Sequence, residues 1–261
     1  AGDVLTDADF NTAVGFSSLT SDTLGSRSTA LGYFALKTQN FTTATNAYNT
    51  GLGFATGEAI TTGVENTLVG GLAGDALTTG SHNTYVGYHS GSIANTAANN
   101  TAFGAYTLDA MTTGGSNVAM GKSALGALTT GDRNTVIGLN AGDALTDADD
   151  NVAIGMSALT ADTLGSRSVA IGKEALASQN FETATNSNNV AVGSFAGNAL
   201  TTGTSNTLID PTSSVYVGFL AGKFSTTSAQ STFVGAQAGQ GITGVKLTGN
   251  NNVAVGFKSG F

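Results

Sequence analysis

A five-residue phrase, Asn-Thr-Ala-Val-Gly at residues 11–15, returns along the chain at a fixed interval, and that interval restricts the fold more than any other property. Its closing glycine falls at Gly15, Gly32, Gly53, Gly70, Gly87, Gly104, Gly121, Gly138, Gly155, Gly172, Gly193, Gly218, Gly235 and Gly256. The step is 17 residues, widening to 21 from Gly32 to Gly53, from Gly172 to Gly193 and from Gly235 to Gly256. One unit departs: Asn206-Thr207-Leu208-Ile209 is in register, but Asp210-Pro211 replaces the glycine and a new unit starts at Ser214. A fixed period of this kind means that each unit is one supersecondary element, stable only when neighbours cover its apolar side. Helical repeats need about 33 residues. Seventeen suffice for a strand, a corner, a second short extended segment and another corner. The fold class expected is therefore all-β, a parallel β-solenoid of about fifteen coils running as a single repeat domain over residues 1–261.

Within a unit, the residue before the glycine is always apolar, as at Val14, Leu31, Ile137 and Ile171. Two residues earlier stands Thr or Val, from Thr12 to Val253. Alternation places these two positions on one face of a short strand, and the Val/Ile/Leu column is expected to form the dry interior. The residue between them, often Ala, then faces the other way. Its small size suits the close approach of a second surface. Asn or Ser opens each strand, and stacked coils would align these side chains into a hydrogen-bonded ladder. A further corner is expected about ten residues after the closing glycine, at Gly25, Gly63, Gly80, Gly114, Gly131, Gly165 and Gly203, with Leu77, Met111, Leu128, Leu145 and Leu200 filling the far side of the coil.

Composition narrows the function. Charged residues make up only 10%, while 40% are apolar and recur regularly, which favours a packed core over disorder. The net charge of −8, with Lys and Arg scattered singly, argues against nucleic-acid binding. No run approaches the roughly 20 apolar residues of a membrane-spanning helix, and no membrane insertion is expected. There is no cysteine for a disulfide or a thiolate metal site.

The chain also contains a long duplication: residues 1–57 resemble 141–197, down to Thr23-Leu24-Gly25-Ser26-Arg27-Ser28 against Thr163-Leu164-Gly165-Ser166-Arg167-Ser168 and the four-residue insertion near Gln39-Asn40-Phe41 and Gln179-Asn180-Phe181. Units such as Asn151-Val152-Ala153-Ile154-Gly155 and Ser168-Val169-Ala170-Ile171-Gly172 resemble the YadA-like head repeat of trimeric autotransporter adhesins, and equally the Asn-Thr-Ala-Val-Gly arrays of phage tail fibres. The resemblance covers essentially the whole chain. It implies a left-handed β-roll, three chains around a common axis, and a structural or adhesive fibre located on a virion or at the cell surface. The adhesin repeat is usually shorter, so the 17-residue step fits a virion fibre shaft better, with the adhesin head as the alternative. Other readings are a self-assembling extracellular filament subunit or an ice-binding solenoid. The implied partners are other copies of the chain, side by side or head to tail, and a host-surface receptor or glycan.

Candidate chemistry is sparse, and neither an enzyme nor a cofactor is expected. His82 and His89 read as surface turn residues, and no nucleophile elbow accompanies them. Gly239-Gln240-Gly241-Ile242-Thr243-Gly244 matches a dinucleotide fingerprint in letters but lacks a following helix. Gly121-Lys122-Ser123 lacks the upstream glycine of a phosphate loop. The acids Asp143, Asp147, Asp149 and Asp150, with their copies Asp3, Asp7 and Asp9, read as a solvated corner rather than a calcium site. The threonine column resembles an ice-binding face, but Val118, Val152, Val169 and Val190 interrupt it, which suits an interior column. The insertions at 37–48, 177–188 and 240–251 are expected to bulge, either with Phe41, Thr43, Phe181 and Thr183 as candidate surface contacts or as spacers whose phenylalanines tuck back against the roll.

Overall fold

A computed structural model describes residues 1–209, 215–217, 232–234, 236–238 and 253–259. Its described residues form nineteen short strands and no helix, numbered here in chain order. By contacts the chain divides into two compact units, Ala1–Thr207 and Leu208–Phe261. The boundary between Thr207 and Leu208 falls in the unit whose sequence departs from the repeat, with Asp210-Pro211 in place of the glycine.

The first unit is a parallel β-solenoid. One three-residue strand per coil stacks in sequence order: β1 (Thr12–Val14), β3 (Thr29–Leu31), β5 (Thr50–Leu52), β6 (Thr67–Val69), β7 (Thr84–Val86), β8 (Thr101–Phe103), β9 (Val118–Met120), β10 (Thr135–Ile137), β11 (Val152–Ile154), β13 (Val169–Ile171) and β15 (Val190–Val192), with β16 (Thr207–Ile209) completing a twelve-stranded sheet. Every register observed in this sheet is one coil, as in Thr84↔Thr101 and Val86↔Phe103. The 21-residue coils keep the same register, Ala30↔Gly51 and Ala170↔Ala191, by placing their extra residues outside the strand. These residues support two small ladders, β2 (Gly25–Ser26) with β4 (Thr45–Asn46) and β12 (Gly165–Ser166) with β14 (Thr185–Asn186). In the second unit β17 (Val215–Val217), β18 (Thr232–Val234) and β19 (Val253–Val255) form a parallel three-stranded sheet with the same pattern, Phe233 and Ala254 being buried.

The asparagine ladder is present and dry. Asn66, Asn83, Asn100, Asn117, Asn134 and Asn151 are fully buried or nearly so. At each step the backbone N–H of one asparagine donates to the side-chain oxygen of the previous one, 2.9 Å from Asn134 to Asn117 Oδ1. Its side-chain amide donates to a carbonyl in the next coil, 2.7 Å from Asn134 Nδ2 to Ala148 O. Every polar atom drawn into the interior at this corner thereby acquires a partner, which removes the desolvation cost of burying it.

The closing glycine follows from close approach as well as conformation. Gly138 has φ of 144°, and a Cβ there would lie 2.4 Å from the carbonyl oxygen of Gly155 in the next coil. The neighbouring left-handed corner falls instead on the residue before the asparagine or serine that opens each strand, such as Phe10, Arg27, Tyr48, Glu65 and His82. These five side chains are exposed.

The strand faces are the reverse of the sequence expectation. The middle residue points into the coil: Ala30, Leu68, Tyr85, Ala102, Ala119, Val136, Ala153, Ala170 and Ala191 are fully buried. Its neighbours on either side point outward, leaving Val14 54% and Ile137 36% exposed. The physical reason is volume. The interior of a 17-residue coil is narrow, and it is shared with the residue six positions later. Ala30, Ala102, Ala119, Ala153 and Ala170 are followed at that distance by buried Leu36, Leu108, Leu125, Leu159 and Leu176. Where the strand residue is large, at Leu68, Tyr85 and Val136, the later position is Gly74, Gly91 or Gly142. A Cβ on Gly91 would sit 2.5 Å from Tyr85 Cε2. Large and small thus alternate to hold native packing density.

This pairing is testable. Tyr85→Ala should cost about 3–5 kcal/mol in urea unfolding. Adding Gly91→Leu should recover part of that loss, because Leu108 and Leu125 already occupy the same left-handed position at φ 50° and 52°. A double variant no more stable than Tyr85→Ala would refute the shared volume.

Candidate functional site

The outward face of the solenoid is where interactions are available. Its first column is the strand-ending residue, apolar in every coil: Val14, Leu31, Leu52, Phe103, Met120, Ile137, Ile171 and Val192 are exposed, and Val69, Val86 and Ile154 are half-buried. Beside it runs the Thr/Val column, outward and half-buried or exposed from Thr12 to Val190. The expectation that this column lies inside is therefore corrected, and with it the reason for setting the threonines apart from an ice-binding face. Exposed apolar patches beyond a few hundred Å² are unusual on a lone soluble chain and mark contact surfaces.

Next to the closing glycine runs a third, more varied column. Its first three members, Phe16, Tyr33 and Phe54, form a file of stacked rings: Phe16–Tyr33 centroids are 5.3 Å apart at 15°, and Tyr33–Phe54 5.5 Å at 7°. Phe34 leans on Tyr33 at 4.0 Å and carries the Lys37 ammonium 3.9 Å from its centroid. Lys37 in turn pairs with Glu58 at 2.9 Å. Further along, Tyr88 stands edge-on to Tyr106, and His89 stacks on Tyr106 at 5.6 Å.

An acid-rich column borders this region, with Glu58, Asp75, Ser92, Asp109, Gly126 and Asp143 at one-coil intervals. Gly126 interrupts it, and a shallow concavity of about 510 Å³ opens there, lined by Tyr106, Asp109, Ser123, Gly126 and Asp143 among others. Burial raises the Asp143 carboxyl above its ordinary value. It also raises that of Asp75, partly opposed by a backbone hydrogen bond and the nearby His89.

Of the two readings of the insertions, the structure has the phenylalanines tucked back against the coil. Phe41 is only 5% exposed and Phe181 7%, so neither is a surface contact; Thr43 and Thr183 are exposed. The cause is a buried carboxylate. Asp22 takes the place in the coil where Leu77, Met111, Leu128 and Leu145 are buried elsewhere. It accepts hydrogen bonds from Gly25 N–H at 2.9 Å, Gln39 Nε2 at 2.6 Å and Phe41 N–H at 3.3 Å. Asp162, Gln179 and Phe181 repeat the arrangement. The polar network draws the insertion inward and packs its phenylalanine against the coil. The third insertion, 240–251, and the Gly239–Gly244 run lie outside the described residues.

The remaining sequence candidates are structural corners. His82 Nε2 lies 3.4 Å from Glu65 on the surface, and His89 Nδ1 3.9 Å from Asp109. Arg133 Nε donates to Asp150 at 2.7 Å, Asp149 accepts from the Asp132 N–H, and Asp147 from the Thr130 hydroxyl. The interaction with Arg133 holds the Asp150 carboxyl below its usual value. Among the described residues no group of three acids or histidines is placed to hold a metal ion; Asp132, Asp149 and Asp150 gather instead around the Arg133 guanidinium. Gly121 of the Gly-Lys-Ser run closes strand β9 and precedes no helix.

No family model, characterised protein or solved structure matches this chain. Fold and surface together define a parallel β-solenoid repeat protein with a continuous outward apolar face.

The raised Asp143 carboxyl carries a pH prediction. The folded state disfavours the ionised form, so the penalty is present above the raised pKa and absent below the ordinary 3.8. Asp143→Asn should raise the unfolding midpoint at pH 7, with the advantage vanishing in melts below about pH 4. An advantage of the same size at both pH values would exclude desolvation as its source.

Proposed function

We propose that this chain is a structural and adhesive segment of an extracellular or virion fibre, in which copies pack side by side as a homotrimer. The observation supporting this reading is the unbroken file of apolar side chains from Val14 to Val192 on the outward strand face. A column apolar in every coil, lying where water would otherwise touch it, is what a lengthwise contact between rods requires. The stacked, in-register backbone supplies stiffness, and the more varied columns beside the apolar file supply surfaces to present. The Asn-x-Ala-x-Gly resemblance points the same way and favours a tail-fibre shaft on the virion.

Light scattering tests the assembly. The native chain should scatter as about three times its 25.8 kDa. Ile137→Asp combined with Ile171→Asp should reduce the particle to single chains while circular dichroism keeps its β signature, since both side chains lie outside the coil. A native chain that is monomeric at micromolar concentration would sink the proposal.

A second reading rests on one observation, the outward threonines Thr12, Thr29, Thr50, Thr67, Thr84 and Thr101 at single-coil spacing. An array of this kind on a rigid sheet can order water against ice. The irregular bulk of Leu31, Phe103 and Met120 beside it fits a protein partner better, and a thermal-hysteresis measurement separates the two.

A further inference from the structure

The duplication separates what the coil needs from what its surface carries. Residues 1–57 and 141–197 have nearly the same pattern of strands and turns, and the frame is common to both: Leu19 and Leu159, Asp22 and Asp162, Gln39 and Gln179, Phe41 and Phe181. The exposed aromatics are not. Phe16, Tyr33 and Phe54 of the first copy stand where the second has Met156, Lys173 and Ser194, and Phe10 and Tyr48 where it has Asp150 and Asn188. The same coils form without these rings, so folding does not account for them.

The rings are arranged as two files, one along each edge of the outward strand face. On the edge beyond the closing glycine, Phe16, Tyr33 and Phe54 stack at 5.3 and 5.5 Å. On the edge before the asparagine corner, the Arg27 guanidinium lies between Phe10 and Tyr48, 4.9 and 5.8 Å from their centroids. Both files occupy the same three coils, those of β1, β3 and β5. All five rings are exposed, from Tyr33 at 43% to Phe10 at 76%. Within one chain the strand itself stands between the files, a path of about 20 Å when extended.

Across that gap the chemistry matches level by level: Phe10 with Phe16, the Arg27 cation with Tyr33, Tyr48 with Phe54. In the second copy both edges lack rings together, and one level, Arg167 with Lys173, carries like charges. A ligand held by a single edge would leave the opposite edge free to differ. Two edges that a strand keeps apart have no reason to match inside their own chain, but every reason if the edge of one copy meets the opposite edge of another. We infer that the Phe10, Arg27 and Tyr48 edge of each copy packs against the Phe16, Tyr33 and Phe54 edge of the next, with the copies running in one direction and their coils level. A contact between two different surfaces of this kind closes into a ring of copies when the rotation allows. It sets aromatic against aromatic in the first and third coils and a cation on an aromatic face in the second. The inference rests on the side-by-side assembly proposed above, and it names the residues and register of that contact in the first three coils.

The chain has no cysteine, so introduced thiols report without background. In the full chain, Tyr48→Cys combined with Phe54→Cys and treated with the short crosslinker bismaleimidoethane should run as a covalent trimer on a denaturing gel. Either substitution alone should run as a single chain. Tyr48→Cys with Lys173→Cys, seven coils apart and so about 34 Å out of level, should also stay uncrosslinked. Circular dichroism identifies a variant that fails to fold, and Phe10→Cys with Phe16→Cys then repeats the measurement two coils away. Crosslinking of a single variant means that an edge meets itself, and crosslinking through Lys173→Cys means another direction or register; either result overturns the pairing. Light scattering on the native chain keeps the two readings apart. A native trimer whose Tyr48/Phe54 pair stays uncrosslinked overturns the pairing and leaves the fibre standing, whereas a native monomer removes both.

Discussion

Stacking of one coil on the next is the interaction on which the structure depends. A 17-residue loop closed on itself has almost no interior and cannot bury its own backbone. In register, each strand hands its N–H and C=O groups to the coils above and below, 2.8 Å from Thr84 N to Asn100 O and from Gly104 N to Val86 O. The asparagine corner extends the same exchange to side chains. Because both atoms of the carboxamide are used, the ladder holds the coils in register as well as together; a slip of one residue would leave buried donors and acceptors without partners.

Much of this was legible from the period alone. Solenoid class, parallel pairing, the asparagine ladder and the break near Pro211 follow from where the glycines fall. The direction of the strand faces did not follow. Alternation separates two faces without saying which is inside, and a column of Val, Leu and Ile looks like a core when a single chain is imagined in water. The deciding signal is present in the sequence as a pairing six residues apart within one coil: Ala119 with Leu125 but Tyr85 with Gly91. Such compensation belongs to two positions that share one enclosed volume.

The interaction surface was legible only in part. The sequence leaves Phe41 and Phe181 open between exposed contacts and side chains tucked against the roll, and it is Asp22 and Asp162 that pull them in. A buried aspartate in a leucine position is visible in the sequence, but its meaning depends on the glutamine, Gln39 or Gln179, that satisfies it one coil later. The aromatic file of Phe16, Tyr33 and Phe54 is hidden in the sequence for another reason. The rings are 17 and 21 residues apart and become neighbours only once the coils are stacked.

The strand-closing glycines divide the molecule into what heredity can alter and what it cannot. From Gly15 to Gly172 each is pressed against the next coil's carbonyl, so an added carbon there would clash, and the asparagine that opens the strand is held by the hydrogen bonds it exchanges with its neighbours. The outward positions carry no such restriction. Between residues 1–57 and 141–197 the hidden frame is almost the same, while the surface differs, aromatic in one copy and mostly polar or charged in the other. A rod built this way can lengthen by duplication and acquire new specificities by repainting, without renegotiating its fold.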